Sequence, residues 1–250
     1  MKKKYGLEIG KLRKNKGLIQ NLFLKKYKYS IINLKYNQGY KTNKINIGSI
    51  VVFASNNKNA KIKINNKIYK LSKYKFFDFQ LKELNIASDY KITIGLAGIK
   101  KKVNKNILKK FREKDIHKVK KPWGYELWIN GEKPTYSFKK IFIKKGNRTS
   151  LQFHKKKIET NYLFKGIAEL TMSKKNGKNN KNLILKNIVK KKLKAGNYVN
   201  VNNYAIHRLK AISDIVLYEV STPHLDDVIR IADDKNRSHG RITSEHANKN

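Results

Sequence analysis

The chain contains no cysteine, which excludes disulfides and leaves nitrogen and oxygen as the only strong ligands for any metal ion. Acidic residues are scarce, 17 Asp and Glu against 59 Lys and Arg, and histidine occurs only six times in 250 residues. No apolar run reaches the ~18 residues that a membrane-spanning helix needs. The basic N-terminus, MKKKYGLEIGKLRKNKG, lacks the apolar segment of a secretory signal. Together these absences make a cytoplasmic location the expectation.

What is present in excess is lysine. A formal charge of +42 first suggests nucleic acid or an anionic membrane surface. Its make-up argues otherwise, because 52 of the 59 basic residues are Lys and 7 are Arg, the residue that reads phosphates and bases bidentately. The lysines are scattered among Asn and Ile over 1–200, and residues 201–250 balance 7 basic against 7 acidic side chains. Neither a specific nucleic-acid partner nor a membrane is expected.

Periodicity predicts short strands. SIVVFASN, AKIKINN, KIYKLSKY and YKITIGLAG in the first half, and YSFKKIFIKKG, TSLQFH, ETNYLFKG, IAELTMS, YVNVNN and DIVLYEVS in the second, are rich in Val, Ile, Tyr and Phe. Gly and Asn turns join them, as in an all-β sandwich or barrel. The order of hairpin, rising strand, Ser-Asp turn and final apolar strand recurs, with IASDYKITIGL set against AISDIVLYEV. The expected layout is a basic segment at 1–24, a β lobe at 25–102, a linker with helical tendency at 103–120, a second β domain at 121–237 and a flexible tail at 238–250.

The chemistry concentrates in GNRTSLQFHKKKIETNYLFKG, Gly146 to Gly166. Strand alternation puts Gln152 and His154 on one face, and the turn KKKI returns the chain at Glu159. His207, in NNYAIHRLKA, offers a second imidazole. This N/O set suits zinc, iron or manganese with positions left open for water or substrate. The other four histidines, His117, His224, His239 and His246, read as surface or satisfied residues.

These residues resemble the cupin superfamily. Gly146-x5-Gln152-x-His154-x4-Glu159-x6-Gly166 follows its first motif with Gln in place of the first His, and Gly196, Asn202, Tyr204, His207 and Ala211 keep the spacing of its second. More narrowly, KPWGYELWI at 121–129, LQFH, and EVSTPHLDDVIRIADDKNR at 219–237 are similar to the cupin domain of type II mannose-6-phosphate isomerases. The chain departs from that pattern at Glu159-Thr160-Asn161, where the family reads E-H-W. It also lacks a Gly-rich nucleotidyltransferase half, so GDP-sugar synthesis is not expected.

The resemblance implies two jelly-roll barrels, a bicupin whose first copy is degenerate and has no counterparts of the polar set. It implies one divalent metal ion, zinc first with iron or manganese also suited, on Gln152, His154, Glu159 and His207. It implies a sugar-phosphate isomerase, with Glu219, Arg208 and Lys140 as catalytic candidates and Arg148 and Arg208 as the phosphate clamp. Trp123 reads as a packing anchor. The alternatives are another sugar-phosphate isomerase or epimerase, an iron-dependent dioxygenase, and a non-catalytic sugar-binding module; a homodimer is left open.

Overall fold

Lys61–Ile64, KIKI, buries every second residue, as a strand with one wet face requires, and strands are the main element among the described residues. The computed structural model describes residues 2–11, 20–24, 27–36, 38–54, 59–131 and 135–246. Among these no helix is long and apolar enough to cross a membrane. The chain opens with a hairpin of β1 (Lys2–Lys4) and β2 (Leu7–Lys11). Its two turn residues, Tyr5 and Gly6, both adopt positive φ, the conformation that matches a tight turn to strand twist.

The first lobe runs through β3 (Gln20–Leu24), β4 (Tyr27–Leu34), β5 (Gly39–Thr42), β6 (Ile47–Ala54), β7 (Lys61–Ile64), β8 (Lys67–Lys70), β9 (Phe76–Gln80), β10 (Leu84–Ser88), β11 (Ile92–Ile99) and β12 (Ile107–Phe111). Two antiparallel sheets form, in the orders β12-β9-β6-β11-β4-β3 and β5-β10-β7-β8. Ile50, Ile62, Ile64, Phe77, Leu84 and Ile94 fill the space between them and are fully buried. At about 25 cal/mol per Å² of apolar area, this interior is what holds so lysine-rich a lobe together.

The second lobe runs through β13 (His117–Lys121), β14 (Gly124–Trp128), β15 (Ser137–Ile143), β16 (Leu151–Phe153), β17 (Glu159–Lys165), β18 (Ile167–Ser173), α1 (Lys181–Lys186), β19 (Ile188–Lys194), β20 (Asn197–Val201), β21 (His207–Ala211), β22 (Ile215–Ser221), β23 (Ile229–Ala232) and α2 (Thr243–His246). Its sheets are β1-β2-β20-β17-β22-β15-β14-β13 and β19-β18-β21-β16-β23.

The internal repeat is visible in these orders. β9-β6-β11-β4 of the first lobe and β20-β17-β22-β15 of the second are the same arrangement, as are β8-β7-β10-β5 and β19-β18-β21-β16. The Ser-Asp turns do matching work: Ser88 Oγ donates to the carbonyl of Lys61 at the start of β7, and Ser213 Oγ accepts from the amide of Ile167 at the start of β18. The chain is therefore all-β with two jelly rolls. Where β17 and β21 begin with Glu159 and His207, β6 and β10 begin with Ile47 and Leu84, so the first copy carries apolar side chains at those points.

Three segments differ from the sequence expectation. Residues 107–111 in the expected linker form a strand, because Ile107 to Phe111 pair residue for residue with Gln80 to Phe76 of β9; the only helical piece there is a 3-10 turn at Glu113–Asp115. The N-terminal hairpin belongs to the second lobe: β2 pairs with β20, and Leu7 enters that core. Residues 12–19 of that segment lie outside the described residues. Residues 238–246 of the expected flexible tail are held in place: Lys121 donates to Glu245 at 2.7 Å with both side chains partly buried, and the His246 ring packs edge-on to Trp128. The rest of the tail, 247–250, lies outside the described residues.

Candidate metal centre

Register decides which side chains meet inside the second barrel. On one sheet Trp128, Lys139, Glu219 and Asn161 are successive cross-strand partners, so all four share a face. Glu126 and Glu159 stand two residues from members of that row and join it. On the other sheet His207, Gln152 and Arg230 are successive partners. The two rows line a cavity of about 120 Å³, walled by Trp123, Trp128, Leu209, Leu217 and Leu225.

His154 follows β16 and is fully buried. Its Nδ1–H donates to the carbonyl of Asp227, and its Nε2 has no hydrogen-bond partner. A buried unpaired nitrogen is costly, and an imidazole whose other nitrogen is fixed by a carbonyl is in the tautomer that a metal needs. His207 is arranged the same way, with Nδ1–H donating to the carbonyl of Ala205 at 3.0 Å. Glu159 stands between them, Oε1 at 3.3 Å from His207 Nε2 and Oε2 at 3.7 Å from His154 Nε2. Two atoms bound ~2.1 Å from one ion sit roughly 3.0–3.4 Å apart, so the spacing is close to that of a ligand set. The Gln152 amide reaches to 3.5 Å of His207 Nε2, where a turn of the amide would present its oxygen to the same point. The donors present thus fit a divalent ion.

Burial and the nearby Lys157 ammonium push the His154 pKa down to about 3, which keeps the ring neutral. Burial works against the Glu159 charge, but Lys157 and both histidines outweigh it and hold its pKa well below the ordinary carboxylate range. Lys157 itself is buried and donates to Glu159 Oε2 at 2.5 Å and to Glu219 Oε1 at 2.8 Å. Burial acts to lower its pKa, and the two carboxylates raise it above the ordinary lysine value. Asp227 builds the turn that presents it, its carboxylate accepting the backbone N–H groups of Lys155, Lys156 and Lys157.

The structure brings together Gln152, His154, Glu159, His207 and Glu219 and leaves the other candidates outside. Lys140 is one residue off the inward row, and Lys139 lines the cavity in its place. Arg148 is bound bidentately to Asp234 at 2.8 Å. Arg208, turned away from His207 by alternation, donates to the carbonyl of Ala232 at 2.7 Å. Neither arginine lines the cavity. His246, read as a surface or satisfied residue, lines it, and His239, read the same way, accepts the backbone N–H of Arg230. Lys157 and Lys139 were hidden by composition, since one lysine among 52 carries no signal, whereas Glu126 and Arg230 reach the site only through strand pairing.

Glu126 yields a test of the cavity's electrostatics. Burial disfavours its charge, yet Lys139 and Lys121, with hydrogen bonds from Lys139 and Trp128, bring its pKa from 4.5 down to about 2. A carboxylate with a folded pKa below its unfolded value contributes stability above ~4.5 and loses it as pH falls toward 2. The contribution is about 3 kcal/mol at neutral pH. Glu126→Gln is expected to flatten the acid limb of the stability curve between pH 5 and 2, as read by urea unfolding; an unchanged limb would remove Glu126 from the acid response.

Two jelly-roll lobes, with a buried His/Glu/His set in one, define a cupin of the two-barrel kind. The mannose-6-phosphate isomerase C-terminal family matches residues 109–233, half of the chain, and the chain belongs to that family. No curated protein matches the sequence. Among solved structures, an oxalate decarboxylase–formate complex from Lactobacillus farciminis superposes with a TM-score of 0.61 at 11% identity, covering 89% of this chain and 88% of that one. An IolB-like protein from Salmonella typhimurium gives 0.63 at 10% identity over 96% and 97% of the two chains. Ylba from E. coli gives 0.63 at 10% identity over 89% and 93%. At such identities the likeness concerns the fold.

Proposed function

We propose that the second lobe is a metal-dependent sugar-phosphate isomerase acting on the mannose 6-phosphate/fructose 6-phosphate pair. The observation that carries this reading is one cavity lined by Glu159 and His207 of the metal-fitting triad and by the Glu219–Lys157 pair, within a domain of the mannose-6-phosphate isomerase family. Aldose–ketose exchange moves one proton from C2 to C1 and another from O2 to O1. Gln152, His154, Glu159 and His207 would hold the ion, which when bound supplies Lewis-acid stabilisation of charge developing on the carbonyl oxygen.

The chain's own groups do the rest. Glu219 Oε1 accepts from Lys157, which leaves Oε2 to take the C2 proton and return it at C1. Two of the three Lys157 N–H donors are engaged by Glu159 and Glu219; the third is the donor for the substrate oxygen pair. The indole and leucine walls exclude water and strengthen these interactions. The cations around the cavity favour an anionic substrate.

The test is a coupled assay of the full-length chain loaded in turn with zinc, manganese and ferrous ions. Interconversion of mannose 6-phosphate and fructose 6-phosphate is expected with at least one metal, and chelation should abolish it. A folded, metal-loaded protein that turns over neither sugar phosphate would overturn the reading.

A further inference from the structure

Six cationic side chains line the cavity, and their counter-ions differ in one respect. Lys121 pairs with Glu245, Lys139 with Glu126, Lys157 with Glu159 and Glu219, Arg237 with Asp233, and Arg241 with Asp226. Arg230 has no carboxylate partner among the described residues. Asp233 and Glu245 act on it only at longer range, and both are bonded to Arg237.

What holds Arg230 is backbone. Its Nη1 donates to the carbonyls of Ser238 and Gly240, and its own amide N–H donates to His239 Nδ1. The 238–240 loop therefore grips one edge of the guanidinium and fixes its plane. The loop is itself anchored, with Gly240 at φ +74° donating its N–H to the carbonyl of Val228 at 2.8 Å. The opposite edge carries Nε, which is buried and makes no hydrogen bond. A half-buried guanidinium with a bare Nε is destabilising by itself, and burial and the neighbouring Arg237 both act to lower its pKa. Its position is set by register: Arg230 is the cross-strand partner of Gln152, beside the metal-fitting donors.

We propose that the Nε–Nη2 edge of Arg230 is the receptor for the oxyanion of the cavity's ligand, a phosphate monoester or a carboxylate bound bidentately. The assignment of that oxyanion to the phosphate of a sugar phosphate rests on the functional reading above; the anion site itself does not. It replaces the clamp that Arg148 and Arg208 were expected to form, since both of those are spent on contacts outside the cavity.

The two tryptophans of the chain both line the cavity, so intrinsic fluorescence reports its occupancy directly. Full-length wild type, Arg230→Gln, Arg230→Lys and Arg148→Gln are titrated with inorganic phosphate and, separately, with malonate at constant ionic strength. Wild type and Arg148→Gln should saturate alike. Arg230→Gln should weaken binding by about 100-fold, and Arg230→Lys, which keeps a point charge and loses the fork, by about 10-fold. Should Arg230→Gln unfold, the Lys variant carries the comparison.

Unchanged phosphate and malonate affinity in a folded Arg230 variant overturns the proposal, and so does a wild-type cavity that neither oxyanion saturates. Arg230-dependent binding that prefers malonate supports the receptor and sinks the sugar-phosphate reading. Arg230-dependent phosphate binding without turnover of mannose 6-phosphate supports the receptor and leaves the isomerase reading to fail alone. If turnover is present, Arg230→Lys should raise KM about 10-fold with kcat little changed, because Arg230 stands on the opposite sheet from Glu219, the proposed proton-transfer group.

Discussion

Replacing His154 and His207 together by Ala will take the protein from about one bound divalent ion per chain to none. Both rings are buried, and each offers a lone pair at Nε2 while a backbone carbonyl takes the proton at Nδ1. Glu159 alone, already bonded to Lys157 and Asn161, cannot retain the ion. If the proposed isomerase function holds, turnover should fall by at least ~10³-fold, since neither polarisation of the carbonyl nor placement of the substrate survives. The metal-free variant should still give a β-type circular dichroism spectrum, because the cores around Ile143, Leu170 and Leu217 are untouched. Elemental analysis after dialysis is the measurement. A variant that keeps its metal would show that the ion sits elsewhere.

Much of this site was legible before any coordinates. The spacing from Gly146 to Gly166 placed Gln152 and His154 near Glu159, and the repeat of strand patterns gave two β lobes, which the sheet orders match. Those signals survive because strand period and turn residues are local properties. What could not be read was the choice among equivalent residues. Lys139 and Lys140 differ only in which face of β15 they occupy, and the pairing of Lys139 with Glu219 decides it. Arg208 adjoins His207 in sequence, yet alternation sends it to the other face of β21. Arg230 enters the site only through pairing of β23 with β16, about 80 residues apart in the chain. The C-terminal residues looked too polar to pack; ion pairs from Lys121 and Arg237 to Glu245, which no periodicity announces, hold them at the cavity.

Lys157→Met is expected to be the most destabilising single change at this site in the metal-free protein. Lys157 is the ammonium that Glu159 and Glu219 share, at 2.5 and 2.8 Å, and both carboxylates are buried. Methionine keeps the volume of the side chain and removes its charge, so two carboxylates are left facing one another without a counter-ion. Breaking a buried pair in this way typically costs about 3–5 kcal/mol, because the surviving charges keep their desolvation penalty. A divalent ion on His154, Glu159 and His207 supplies positive charge at the same place. Added zinc should therefore raise the melting temperature of Lys157→Met much more than that of wild type, and its affinity for the variant should rise because no ammonium competes for Glu159 Oε2. Under the proposed mechanism catalysis should not follow stability, since the metal cannot replace the Lys157 N–H assigned there to the substrate. Thermal melts with and without zinc, beside an isomerase assay of the zinc-loaded variant, separate these effects. A metal-free variant as stable as wild type would mean that Glu159 and Glu219 share a proton instead of an ammonium, and the account of the site's electrostatics would fail.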